Sequence, residues 1–335
     1  MRSTAVALVV ATLGAVLATV LALPAPALVG ATLLTTAAAL LGPRAGLPAP
    51  TVPPWLRDTA FAVIGMTLGA GVTPSILHDL WRWSPSLLAM LGALAASTFA
   101  AMLVLRRFFP VDSGTALLAT SPGALSYAVA LALEGRGDAR TVTVLQGTRL
   151  FAITVLVPPL LLGFGGGVAM TPAPVTPLGA SAVVLTVACL LGIVLARFGL
   201  PAAWLVAGLV VSGAAHVTGL VEGRPADVLL LAGFTVAGAV IGARFGGFPP
   251  AELRRLALEG AVVSLIAIGL SALFSLGAAS WLGLPFGQVW VAYAPGGVEG
   301  MAAIAVSLGY DPVFVATHHV VRLFALIFVL PIVAR

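Results

Sequence analysis

The sequence predicts an all-α, polytopic membrane protein made of two related halves, and two observations predict it. Of 335 residues, 60% are hydrophobic and 8% are charged, with a mean hydropathy of +1.15; a soluble domain carries about 25% charged residues. The second observation is a pattern of helix breakers and charges that occurs twice. Ser121-Pro122-Gly123-Ala124-Leu125-Ser126, Asp138, Arg149-Leu150-Phe151 and Pro158 recur as Ala294-Pro295-Gly296-Gly297-Val298-Glu299, Asp311, Arg322-Leu323-Phe324 and Pro331. Matched positions (122/295, 138/311, 149/322, 158/331) are all 173 residues apart. Proline and glycine break apolar helices, and a charge at membrane depth is costly. Keeping them all twice points to a site built by both halves.

Apolar runs bounded by Pro, Gly and Arg lie at about 4–23, 25–41, 58–73, 85–105, 112–133 and 143–165. They recur at about 178–197, 201–219, 227–243, 257–280, 286–307 and 313–333. Most are long enough for a hydrocarbon core of about 30 Å at about 1.5 Å per residue. The first run ends in Leu23-Pro24-Ala25-Pro26-Ala27, like a cleavable secretory signal. Leu200-Pro201-Ala202-Ala203 follows another apolar run 177 residues later, so 4–23 reads as a retained span. In the third runs, Gly65 and Gly69 match Gly238 and Gly242, small residues at the spacing for close helix packing. The linker Thr171-Pro172-Ala173-Pro174-Val175-Thr176-Pro177 divides the chain into repeats 1–172 and 173–335. Thr73 to Trp83 and Phe248 to Leu256 read as interfacial amphipathic connectors.

Arginine placement decides the expected topology, for all sixteen basic residues are arginine. If every run crosses, the fourteen arginines other than Arg149 and Arg322 divide seven to seven between the faces. If 112–133 and 286–307 dip in and return, Arg2, Arg44, Arg57, Arg106, Arg107, Arg136, Arg140, Arg197, Arg244, Arg254, Arg255 and Arg335 share the cytoplasmic face. Only Arg82 and Arg224 then lie outside, and twelve to two obeys the positive-inside rule. The expectation is about ten transmembrane helices plus two Pro-Gly re-entrant or broken helices. With five crossings per half, the repeats are inverted and both termini are cytoplasmic.

The candidate substrate-binding residues are Pro122, Gly123, Ser126 and Arg149, with Pro295, Gly296, Gly297, Glu299 and Arg322. Pro-Gly tips at membrane depth need protein or water around them, and their freed N–H groups attract anions; a packing kink in a continuous helix is the alternative. Arg149 and Arg322, six and nine residues into the last run of each half, either face an anionic substrate or tie the helix to the tip. Glu299, whose counterpart is Ser126, either couples protonation to substrate movement or pairs with Arg322. His318 and His319 are further proton-coupling candidates, with polar packing as the alternative. Asp138 and Asp311 read as helix N-caps.

No catalytic triad, nucleotide fingerprint, P-loop or histidine-carboxylate metal cluster is present, so no enzyme, cofactor or metal is expected. Cys189 stands alone. The expected partners are the lipid bilayer and a small-molecule substrate, with a homo-oligomer left open. Nucleic acid is not expected as a partner, because no basic cluster exceeds two adjacent arginines and no DNA-binding module is recognisable.

Pro295-Gly296-Gly297-Val298-Glu299-Gly300-Met301, then Asp311, then His318-His319-Val320-Val321-Arg322-Leu323 resemble the AbrB family of integral membrane proteins. That family is defined by a duplicated domain, and here the first copy is degraded: Ala124, Ser126 and Leu145-Gln146 replace the second glycine, the glutamate and the histidines. The resemblance implies broken-helix halves like those of cation–proton antiporters and anion transporters. Members carry labels as transporters, ammonia monooxygenases and regulators of gene expression; the monooxygenase label lacks ligand spacing here. The expected function is a secondary transporter of the cytoplasmic (inner) membrane for a small anionic or zwitterionic substrate, proton-coupled. The alternative is a membrane-embedded regulator acting indirectly on gene expression.

Overall fold

The computed structural model describes residues 2–122, 125–164 and 174–333. The fold is all-α. Seven helices precede the linker: α1 (Arg2–Val20), α2 (Pro26–Leu41), α3 (Pro54–Gly69), α4 (Ile76–Phe108), α5 (Ser113–Thr120), α6 (Leu125–Leu131) and α7 (Ala139–Leu162). Seven follow it: α8 (Leu178–Arg197), α9 (Ala203–Val217), α10 (Asp227–Ala243), α11 (Pro250–Leu282), α12 (Phe286–Tyr293), α13 (Val298–Ser307) and α14 (Pro312–Val333). Linker residues 171–173 lie outside the described residues; its end is held by a parallel bridge between Val175 and Arg224.

The proline punctuation explains most helix starts. Pro26, Pro54 and Pro250 open their helices, where a missing N–H costs nothing. Ala25 and Ala202, just before α2 and α9, both adopt left-handed φ, 49° and 50°. Two conformations that L-residues rarely adopt, in matching Leu-Pro-Ala segments, set the same chain entry twice. The segments read as interfacial connectors are instead largely the first turns of α4 and α11, each 33 residues long. Nothing in either stretch stops a helix that the following span continues.

The two ends of each Pro-Gly segment are joined by a hydrogen bond. Thr115 Oγ1, in the first turn of α5, accepts the Asp138 N–H at 2.7 Å. Gln288 Oε1, in the first turn of α12, accepts the Asp311 N–H at 3.2 Å. In both cases a residue near the start of the segment touches the residue that leaves it, so the two ends of the segment lie together.

Helix α3 packs on α9, α2 on α10, and α11 on both α4 and α7, while the hairpin helices α5 and α12 lie on α7 and α14. Small residues permit the closest of these approaches. A Cβ added at Gly238 would lie 2.6 Å from the Leu28 carbonyl oxygen, and one at Gly65 would meet the Leu205 carbonyl. The outer faces of α1, α4, α8 and α11 carry exposed Val9, Leu13, Leu88, Phe99, Val183, Leu190, Leu265 and Leu273. Apolar surface outside and polar side chains within suit a hydrocarbon environment. Among the described residues, seven helices are long and apolar enough to span a membrane. The expected ten goes beyond this count, because α3, α9 and α10, with 16, 15 and 17 residues, are shorter than those seven.

Candidate functional site

A half-helix that ends inside the protein leaves carbonyls without intrahelical partners. Helix α5 ends at Thr120 and α12 at Tyr293, because Pro122 and Pro295 force the residue before them into extended backbone: ψ is 113° at Ser121 and 134° at Ala294. The two buried arginines meet these carbonyls. Each is the eleventh residue of its helix, about 15 Å along it, deeper than the run boundaries implied. Arg322 donates to Ala294 O at 2.7 Å and Gly296 O at 2.5 Å. Arg149 donates to Thr120 O at 3.1 Å and, more loosely, to Ala119 O, Ser121 O and Gln146 Oε1. One turn earlier, Gln146 Nε2 donates to Leu118 O at 2.7 Å and His319 Nε2 to Val291 O at 2.9 Å.

His318 points elsewhere. Its Nδ1 donates to Phe314 O at 2.8 Å, so Nε2 accepts from the Ser86 hydroxyl, also at 2.8 Å. A carbonyl only accepts, and that fixes the tautomer. Tyr293 OH donates to Ser86 O at 2.8 Å and closes the cluster. Both histidines are fully buried and neither borders the cavity described below. The geometry is that of polar packing.

Asp138 and Asp311 are N-caps, as expected. Asp138 accepts from the Thr141 hydroxyl and from the Arg140 and Thr141 N–H groups; Asp311 accepts from Val313 N and Phe314 N. The Thr141 hydroxyl, with those backbone donors, holds the Asp138 carboxyl below its ordinary range despite partial burial.

Beside the arginine at the first tip lies a cavity of about 550 Å³. Its walls come from the starts of α3, α9 and α13, from α6, the middles of α7 and α14, the turn between α8 and α9, and the end of α10. Of the expected site residues, Arg149, Gly297 and Glu299 line it. Pro122, Pro295, Gly296 and Arg322 stand behind the lining. Gly123 and the Ser126 side chain lie outside the described residues. Glu299, 9% exposed, makes no ion pair with Arg322 among the described residues. Arg322 is occupied by the two carbonyls, which leaves the carboxylate to the cavity.

Sequence reasoning missed three groups. Arg244, at the end of α10, lines the cavity with its Nη1 buried and unpartnered. Arg57 and Asp58 form an ion pair of 2.7 Å at the wall. Glu259 is 6% exposed, with one carboxylate oxygen unpartnered. The 173-residue spacing has no power to flag these, because the positions matching Arg244 and Glu259 are Gly71 and Ser86. No group of three or more His, Cys, Asp or Glu side chains able to hold a metal occurs among the described residues.

Comparison with known proteins adds the following. Over 109 residues the chain is 34% identical to "Putative regulator AbrB" of Escherichia coli (strain K12), covering 32% of this chain and 31% of that protein. Over 294 residues it is 26% identical to "Uncharacterized protein YhjN" of Bacillus subtilis (strain 168), covering 80% of this chain and 75% of that protein. Residues 37–335 match the family described as "Transition state regulatory protein AbrB". That description is regulatory. It also overturns the exclusion of nucleic acid as a partner. The missing DNA-binding module is too narrow a ground, because phosphate contact requires only accessible arginine. With the family match spanning all but the first 36 residues, the chain belongs to the AbrB family.

Proposed function

We propose that the chain is a membrane-embedded regulator whose state follows the occupancy of its central cavity by a small solute. The observation that carries this reading is the cavity of about 550 Å³, with Glu299, Arg149 and Arg244 on its walls, in a chain of a family with a regulatory description. A volume in the range of ligand pockets, mostly apolar with a few convergent charges, suits a small molecule. In this reading Arg322, Gln146 and His319 hold the hairpins, while Arg149, Gly297 and Glu299 meet the solute.

The wider arrangement we propose is two inverted tandem repeats, 1–172 and 173–335, with five crossings each and α5–α6 and α12–α13 as re-entrant hairpins. It is supported by the matched Thr115–Asp138 and Gln288–Asp311 bonds and by the twelve-to-two arginine distribution. Both termini then face the cytoplasm of the inner membrane.

A secondary transporter is the second reading, favoured by the same two hairpins, because helices broken at membrane depth around a cavity are a transporter design. One experiment separates the two. Expression profiles are compared between a strain lacking the gene and strains complemented with wild type or Glu299→Gln, and solute flux is recorded in liposomes holding the purified protein. Regulation predicts a profile restored by wild type and altered by Glu299→Gln, without flux. Flux with an unchanged profile replaces it with transport.

A further inference from the structure

The charges on the cavity wall are not equivalent, and sorting them by what they already bind narrows the ligand. Arg57 and Asp58 satisfy each other at 2.7 Å. Arg149 is directed at the carbonyls ending α5, whose partial negative charge offsets its own. Two charges remain. Arg244 lines the cavity and has one nitrogen, Nη1, buried without a hydrogen-bond partner, and Glu299 has neither a hydrogen bond nor an ion pair among the described residues. Glu299 and Arg244 both line the cavity and form no ion pair within 4.0 Å.

A buried charge without a partner is costly, so the favoured ligand completes both. An anion alone would answer Arg244 and repel Glu299; a cation alone would do the reverse. Most of the remaining wall is apolar, with Phe61, Leu150, Leu200, Trp204, Leu323 and Ile327, and Gln146 and Tyr127 are its other polar groups.

We propose that the cavity binds a small zwitterion, an apolar α-amino acid, with its carboxylate on Arg244, its ammonium on Glu299 and its side chain against the Trp204 wall. This deepens the solute-occupied reading above and rests on it. Gly297 has a part in the placement, since a Cβ there would lie 2.7 Å from Glu299 Oε1 and push the carboxylate out of position.

The test is calorimetric titration of the purified full chain in detergent with L-leucine and two analogues of similar shape. Isocaproate lacks the ammonium and isoamylamine lacks the carboxylate. L-leucine is expected to bind, and each analogue to bind more weakly by roughly tenfold or more. Arg244→Gln should erase the difference between leucine and isoamylamine, and Glu299→Gln that between leucine and isocaproate. Because the analogues probe wild-type protein, the comparison survives a variant that fails to fold. Isocaproate binding as tightly as leucine would overturn the zwitterion and leave a monoanion site, with the solute-occupied cavity intact. If folded protein binds none of the three, nor acetate, inorganic phosphate or a panel of polar amino acids, both the zwitterion and the solute reading fail.

Discussion

Gln146 and His319 occupy matching positions and make the same bond. Each donates a side-chain N–H to a half-helix carbonyl 28 residues earlier, Leu118 O at 2.7 Å and Val291 O at 2.9 Å. Chemically different residues at these positions share only their donor, so donation is what the fold requires. His319→Gln should therefore unfold in detergent at the wild-type temperature. His319→Leu, which strands the Val291 carbonyl, should lose about 1–3 kcal/mol. A His319→Gln protein that folds normally but shows an altered pH profile of solute binding or flux would return the histidine to proton coupling.

The two arginines should differ in how much they hold. Arg322 makes bonds of 2.7 and 2.5 Å, whereas those of Arg149 run from 3.1 to 3.5 Å. Lysine keeps the charge but lacks the fork that reaches two carbonyls at once. Arg322→Lys should cost about 2–4 kcal/mol and Arg149→Lys about half of that, by thermal unfolding. Equal losses would contradict the assignment of Arg322 as the tighter strut.

Helix contact through glycine gives a paired test. Gly238→Ala drives a methyl group into the Leu28 carbonyl and should destabilise by about 1–3 kcal/mol. Gly277→Ala, with nothing within 4 Å of the added carbon, should be neutral or stabilise by up to about 1 kcal/mol. Melting temperatures that fail to separate the two variants would refute the close α2–α10 approach.

The Asp138 cap carries a pH dependence of definite sign. The folded protein holds its carboxyl below the ordinary 3.8, so ionised Asp138 stabilises the fold. That contribution is complete above pH 3.8 and is lost as the pH falls through the lower folded value. Asp138→Asn should melt below wild type near neutral pH, and the gap should narrow in acid below 3.8. A gap that stays constant into acid would mean that the carboxylate charge is not what caps α7.

Prolines 122 and 295, arginines 149 and 322 and the aspartate caps are legible in the sequence for one physical reason. Helix breaks and intramembrane charges are costly, so their recurrence at a fixed spacing stands out against an apolar background. The hairpins follow from the same positions and the arginine count. The other part of the site is not legible, because it is asymmetric. Arg244 matches Gly71, so no spacing marks it; Glu299, although it matches Ser126, is legible because it follows the Pro295-Gly296-Gly297 tip. Arg244 also sits at a helix end, where a cytoplasmic loop arginine is ordinary; only the folded chain brings it to the cavity wall. Likewise the Glu299–Arg322 pair read from proximity fails, because the Ala294 and Gly296 carbonyls already hold the guanidinium.

The most direct measurement is whether solute in water reaches the second hairpin tip. A Val298→Cys substitution in a Cys189→Ser background leaves one thiol, on the cavity wall beside an intact Glu299, in intact membranes. A small charged thiol reagent should label it, and L-leucine at saturating concentration should slow the labelling. A folded protein whose thiol stays unmodified, with or without leucine, would contradict a solute-filled cavity between the hairpins.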